Sequence, residues 1–271
     1  MRIMRRGVLS HLGVVGEVVL YRTNMERQLK LRPLGTCIGI GCLVVAGLLG
    51  VGHAARAAAQ SSGDDRPRIV AFGDSLTAGL GVATDETYPA ELQRRLDALG
   101  LRYRVVNAGV SGETTAGGLR RVPWILRSTP EVVILELGAN DGLRGLRVEE
   151  TKANLERIIQ QLQQAGVQVV LTGMKLPPNY GKDYLSGFER MYSDLAARYR
   201  IPLVPFFLEG VAASSALNQA DGIHPTAKGY RTIVERMLKT LLPVLAHAQK
   251  IQQGEKNKTP ASPIAQPGRS R

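Results

Sequence analysis

The chain is 271 residues long, 44% hydrophobic and 21% charged, a globular composition that excludes disordered and collagen-like chains. Only 5% of residues are aromatic, too few for the stacking platforms of single-stranded nucleic-acid binders. The net charge of +12 sits at the ends: residues 1–59 hold 8 Lys+Arg against 2 Asp+Glu, residues 249–271 hold 5 against 1, and residues 60–248 hold 22 against 20. The central, core-forming part is nearly neutral, so a nucleic-acid partner is not expected.

The first 59 residues read as an export signal or an N-terminal membrane anchor. Leu34 to Gly52 is an uncharged run of 19 residues. Arg27, Lys30 and Arg32 precede it, and Ala57-Ala58-Ala59 follow. A positive flank, an apolar run and small residues form a secretory pattern, and the run also just reaches the length needed to span a bilayer. Cleaved or retained, the positive flank stays inside, so the rest of the chain is expected in the periplasm or outside the cell. Residues 1–24 fit this scheme poorly, and translation from Met25 would give an ordinary short leader. Both cysteines, Cys37 and Cys42, lie in the apolar run. Its removal would leave no thiol for a disulfide, a metal site or a nucleophile.

From Arg68 onward, short apolar runs alternate with amphipathic segments. Arg68–Gly73 reads as a first buried strand, and Tyr88–Leu99 as a helix with Leu92, Leu96 and Leu99 on one face. Arg104–Asn107 is a second strand, and Gly117–Arg127 a helix interrupted by Pro123. Glu131–Gly138 is a third strand. Val148–Ala165 is a helix carrying Leu155, Ile158, Ile159 and Leu162, ended by Gly166. Gln168–Gly173 is a fourth strand, Tyr184–Tyr199 a helix, and Pro202–Phe207 a fifth strand. Thr226–Ala248 is a last helix built on Tyr230, Ile233, Met237, Leu241 and Leu245. This pattern predicts an α/β fold: a five-stranded parallel sheet covered on both faces, spanning residues 60–248. Residues 249–271, with three prolines among polar residues, read as a disordered basic tail.

Ligand sites of open parallel sheets lie beyond the carboxyl ends of the strands. Four polar turns fall there: Gly73-Asp-Ser75-Leu, Asn107 to Gly112, Gly138-Ala-Asn140-Asp, and Asp221-Gly-Ile-His224. They supply a hydroxyl, glycine amides, a carboxamide and an Asp/His pair, the parts of a serine acyl-transfer site. Of the four histidines, only His224 lies between a structured turn and a helix. Asp221, three positions earlier, can aim its carboxylate at the far ring nitrogen. Each residue has a plainer reading. Ser75 could cap a helix, Asp221 could form an Asx-turn, Asn140 could be a turn residue, and Gly112 could serve only to adopt positive φ. No G-x-S-x-G elbow, Walker loop or H-E-x-x-H occurs. No metal or cofactor is expected.

In order and content, these four blocks resemble those of the SGNH hydrolases, a branch of the GDSL esterase/lipase superfamily. The resemblance covers about Arg68 to Leu245. Asn140-Asp-Gly-Leu-Arg-Gly145 and Leu176-Pro-Pro-Asn-Tyr-Gly181 place it close to the periplasmic thioesterase I/lysophospholipase L1/arylesterase subgroup. It implies a three-layer flavodoxin-like fold and hydrolysis of small acyl esters or thioesters by a catalytic triad of Ser75, Asp221 and His224. The oxyanion hole would comprise the N–H groups of Ser75 and Gly112 and the amide of Asn140. Apolar Leu143, Leu146 and Leu176, in loops beside the site, are expected to bind the acyl chain, though each could instead cover a helix end. A monomer is expected, with membrane association only through the N-terminal run. The alternatives are a carbohydrate deacetylase of the same family and a tethered, non-enzymatic interaction protein. The long N-terminus and basic tail depart from the family pattern.

Overall fold

The computed structural model describes residues 64–256. The expected leader, with its apolar run and the Met25 start, lies outside the described residues, as do residues 257–271 of the expected tail. Among the described residues no helix is long and apolar enough to cross a membrane.

Five parallel strands form one sheet in the order β2-β1-β3-β4-β5. They are β1 (Arg68–Gly73), β2 (Arg104–Gly109), β3 (Pro130–Glu136), β4 (Gln168–Thr172) and β5 (Leu203–Val204). The central strands are apolar almost throughout, as burial on both faces requires: Ile69 to Phe72 and Val132 to Leu135 are at most 1% exposed. The chain extends the sheet to one side with β2 and then crosses back over β1 to β3. The loops leaving β1 and β3 therefore diverge at the sheet's carboxyl edge and open a crevice there, at the topological switch point.

Helices cover both faces. Helices α2 (Tyr88–Ala98) and α7 (Ala227–Lys256) pack together on one side, and α3 (Thr115–Arg127), α5 (Val148–Gln164) and α6 (Lys182–Tyr199) form the other layer. The expected stripe of α7 is buried: Tyr230, Ile233, Met237, Leu241 and Leu245 are at most 1% exposed. So are Leu155, Ile158, Ile159 and Leu162 of α5. Burying each such side chain contributes roughly 1.5–3 kcal/mol.

Several sequence expectations shift at the element ends. Leu99 is exposed, because α2 ends one residue before it. Pro123 does not interrupt α3 but sits inside it on the exposed side, where the carbonyl of Leu119 that it leaves without a donor can turn to water. Strand β5 shrinks to two residues between Pro202 and Pro205, neither of which has an N–H to give a sheet ladder. Helix α7 runs eight residues past Ala248, through a stretch in which only Gly254 opposes helix, so the tail expected from 249 starts as helix. Two short helices at the carboxyl edge were not read from the sequence: α1 (Ser75–Ala78) and α4 (Ala139–Leu143). They are too short to show a period, and both carry site residues.

Candidate active site

Ser75 is the first residue of α1, immediately beyond β1. The cap of that helix is Asp74, whose Oδ1 accepts from the Leu76 N–H at 3.0 Å. The Ser75 hydroxyl is thus spared capping and lies 2.9 Å from His224 Nε2. On the other side of the ring, His224 Nδ1 is 2.7 Å from Asp221 Oδ2. The second oxygen of Asp221 accepts from the backbone N–H groups of Ile223 at 2.9 Å and His224 at 3.0 Å. The Asx-turn and the orienting carboxylate are one and the same group, each use taking one oxygen. The backbone N–H of His224, that of Ile223 and the imidazole together hold the Asp221 carboxyl down at about 2. A carboxylate charged across the working range keeps the Nδ1–H tautomer, leaving Nε2 free to take the serine proton.

The loop carrying this pair lies between β5 and α7 and is closed by backbone bonds. Gln219 N–H donates to the His224 carbonyl at 2.8 Å, and Thr226 N–H to that of Leu217 at 2.8 Å. The Gln219 side chain donates to the Leu80 carbonyl at 2.7 Å, tying the histidine loop to the segment after α1.

The other two turns converge on the same edge. Gly112 has φ +78, a conformation that disfavours any side chain, and its N–H has no partner among the described residues. The same holds for the N–H of Ser75, at the start of α1. Asn140 lies in α4, just past β3, and one amide hydrogen donates to Asp74 Oδ2 at 2.9 Å. The next residue, Asp141, is buried and points the opposite way. Its carboxylate accepts from the Thr115 N–H at 2.8 Å and the Thr115 hydroxyl at 2.5 Å, pinning α4 to the start of α3. Adjacent residues of one turn thereby serve different ends, Asp141 bracing the fold and Asn140 facing the crevice.

An apolar cavity of about 330 Å3 abuts the row. Its walls include Leu76 beside Ser75, Leu143, Met174, Leu176, Phe206 and Ile223. The structure puts two of the three expected leucines on this wall. Leu146 does not line the cavity and is 39% exposed. The chain turns at Gly145 with φ +64, and the Leu146 N–H closes on the Asp141 carbonyl at 3.0 Å, leaving Leu146 on the outer rim. Larger grooves elsewhere, such as one of about 470 Å3 along Val167, Ile201 and Val244 at the sheet's other edge, contain none of the row.

Comparison with known proteins places this geometry. Residues 71–232 match the model of the GDSL-like Lipase/Acylhydrolase family, a span that contains all four turns. The chain belongs to this family. The hydrolase is 45% identical to Esterase TesA of Pseudomonas aeruginosa over 65% of its own length and 89% of that protein. It is 37% identical to Thioesterase 1/protease 1/lysophospholipase L1 of Escherichia coli K12, over 66% of its length and 85% of the relative. A crystal structure of TesA superposes with a TM-score of 0.63 at 45% identity, covering 65% of this chain and 98% of that one. The chain is accordingly an α/β SGNH hydrolase acting on ester bonds.

Sequence reasoning about the hydrolase passed over several residues of the site. Asp74 lies within the nucleophile turn and was read only as a neighbour of Ser75. Glu136 follows the apolar run Val132–Leu135 at the end of β3, and a charged residue at the buried carboxyl end of a central strand was the signal available. Gln219 gave none. Met174 and Phe206 lie two residues past the ends of β4 and β5, where strand ends supply site walls.

Proposed function

We propose that the hydrolase cleaves acyl esters and acyl thioesters through an acyl-enzyme on Ser75, with His224 as proton carrier and Asp221 as its orienting partner. The observation that carries this reading is the unbroken row Ser75 Oγ–His224 Nε2 and His224 Nδ1–Asp221 Oδ2, at 2.9 and 2.7 Å. Ser75 Oγ attacks the acyl carbon as its proton passes to His224. The imidazolium then gives that proton to the leaving alcohol or thiol. Water, deprotonated by His224, attacks the acyl-enzyme and releases the acid, and the proton returns to Ser75. The N–H groups of Ser75 and Gly112 and the free amide hydrogen of Asn140 stabilise the oxyanion in both halves.

The acyl chain lies along Leu143 and Leu176 in the apolar cavity, and Leu146 is left out of that role. A wall of Leu, Met, Phe and Ile side chains favours methylenes over sugar hydroxyls, which supports an acyl chain rather than an acetylated polysaccharide. The names of the relatives, an esterase and a thioesterase/lysophospholipase, support the same class. All parts of the site come from one chain, in keeping with a monomer. The positive flank, apolar run and Ala-rich stretch of residues 27–59 support export of residues 60–271, with membrane association only through that run.

The test is a panel of p-nitrophenyl esters from acetyl to dodecanoyl, with an acyl-CoA, for wild type and Ser75→Ala. Wild type should favour medium chains over acetyl, and Ser75→Ala should fall to background with an unchanged circular dichroism spectrum. Hydrolysis retained by Ser75→Ala would overturn the mechanism. A wild type confined to acetyl groups would point to the deacetylase reading.

A further inference from the structure

Beneath the nucleophile lies a second acidic group that this mechanism does not use. Glu136, the last residue of β3, is 1% exposed, and so is Asp74. In the sheet register Glu136 stands opposite Gly73, and a Cβ at Gly73 would collide with its carboxylate and with Thr77 Oγ1. The glycine of the nucleophile turn therefore makes room for a carboxyl group against the start of α1. Thr77 Oγ1 donates to Glu136 Oε2 at 2.8 Å. Having spent its one hydrogen there, Thr77 receives the hydroxyl of buried Tyr88 at 3.3 Å. The Asp74 N–H also approaches Oε2, at 3.4 Å, which brings the two buried carboxyl groups close together.

Two carboxylates cannot both stay ionised here. The groups facing them are the hydroxyls of Tyr88, Tyr192 and Tyr230 and the ring of His224. Among the described residues no Lys or Arg pairs with either acid. Burial pushes both carboxyls upward, and the charge of Asp74 pushes Glu136 further, well above the usual carboxylate range. Asp74 has two partners that favour its ionised form: the Leu76 N–H on Oδ1 and the Asn140 amide on Oδ2. The donors to Glu136, Thr77 Oγ1 and the Asp74 N–H, both fall on Oε2, so its other oxygen can carry the single proton, which burial and the Asp74 charge favour there.

We infer that Asp74 is the positioning residue of the oxyanion hole, aiming the Asn140 amide, and that Glu136 serves as a neutral acid whose hydrogen bond steadies the Asp74 carboxylate from behind. A carboxylate that accepts from one amide hydrogen fixes the plane of the carboxamide and so the direction of its other hydrogen. A second buried negative charge beside the developing oxyanion would oppose catalysis, which is why the backing group must be uncharged. The inference rests on the oxyanion role of Asn140 proposed above.

The test measures kcat and KM on one medium-chain ester for Asp74→Asn, Asp74→Ser, Glu136→Gln and Glu136→Leu, with both Asp74 variants repeated in an Asn140→Ala background. Asn in place of Asp74 presents an amide that cannot accept at both positions, and Ser keeps the helix cap while losing the contact to Asn140. Each should lower kcat by about tenfold or more with KM little changed, and should cost almost nothing further once Asn140 is gone. Glu136→Gln, neutral and still a donor, should lie much closer to wild type than Glu136→Leu. Equal losses from the Asp74 variants in both backgrounds would show a merely structural role and overturn the positioning claim. Gln failing as badly as Leu would mean that Glu136 works as a carboxylate. If Asp74→Asn does not fold, the capped Asp74→Ser variant decides by the same comparison. A catalytically active Ser75→Ala would instead remove the underlying mechanism, an outcome separate from these.

Discussion

Ser75 is available as a nucleophile because its neighbour does the capping. Asp74 satisfies the start of α1, so the serine hydroxyl is left to His224 and the serine N–H is left at a helix start. The same economy recurs along the row. The sequence offered a local and a catalytic reading for Asp221 and for Gly112, and the structure accommodates both readings at each, since one carboxylate has two oxygens and a left-handed glycine still has an N–H. Asp221 is held low by backbone donors, so its folded form favours the ionised state. That contribution is present above the ordinary carboxylate range and is lost only as pH falls toward about 2. Asp221 should therefore stay charged throughout mild acidification, which carboxyl-carbon NMR of that residue checks. Asn140 provides the sharpest measurement at this scale. Asn140→Ala removes one oxyanion donor and should lower kcat by about 10²–10³, roughly 3 kcal/mol, with KM little changed. A variant with wild-type kcat would remove Asn140 from the oxyanion hole.

At the scale of elements, the long ones were legible and the short ones were not. Strand β1 has the bounds read from its apolar run, and the stripes of α5 and α7 are the buried faces, because period and burial are the same physical fact. Helices α1 and α4, with four and five residues, have no period to read. They are set by capping and by tertiary ties, such as the Asp141–Thr115 bonds. The same limit explains Leu146. It is apolar and in a loop beside the site, as Leu143 is, but the turn at Gly145 carries it to the rim. Leu143 and Leu176 remain on the cavity wall. Each substrate methylene buried there contributes about 0.8 kcal/mol until the cavity ends. Leu176→Ser should thus reduce kcat/KM for octanoyl esters by about tenfold or more while largely sparing acetyl esters. Leu146→Ser should show no such chain-length dependence. Equal losses for short and long chains in Leu176→Ser would mean that the acyl group binds elsewhere.

For the whole chain, alternation of strands and helices was enough to read a parallel sheet, but the strand order was not contained in the periodicities. The structure supplies it. The order β2-β1-β3-β4-β5 puts the switch point between β1 and β3, which is why turns 65 residues apart in sequence, at Ser75 and Asn140, share one crevice. The row is completed from the far end of the chain by the loop before α7. A reporter active only after export, fused after Arg271, should be active in cells, and activity confined to a cytoplasmic reporter would overturn the proposed export. The central claim is that one serine, and not its neighbours in the four turns, is acylated. Intact-mass and peptide analysis after treatment with an alkyl phosphonate ester tests it most directly. The account predicts a single adduct on Ser75, formed with complete loss of activity and absent from His224→Ala under the same conditions; an adduct on Ser111 or another serine, or full activity with Ser75 modified, would contradict it.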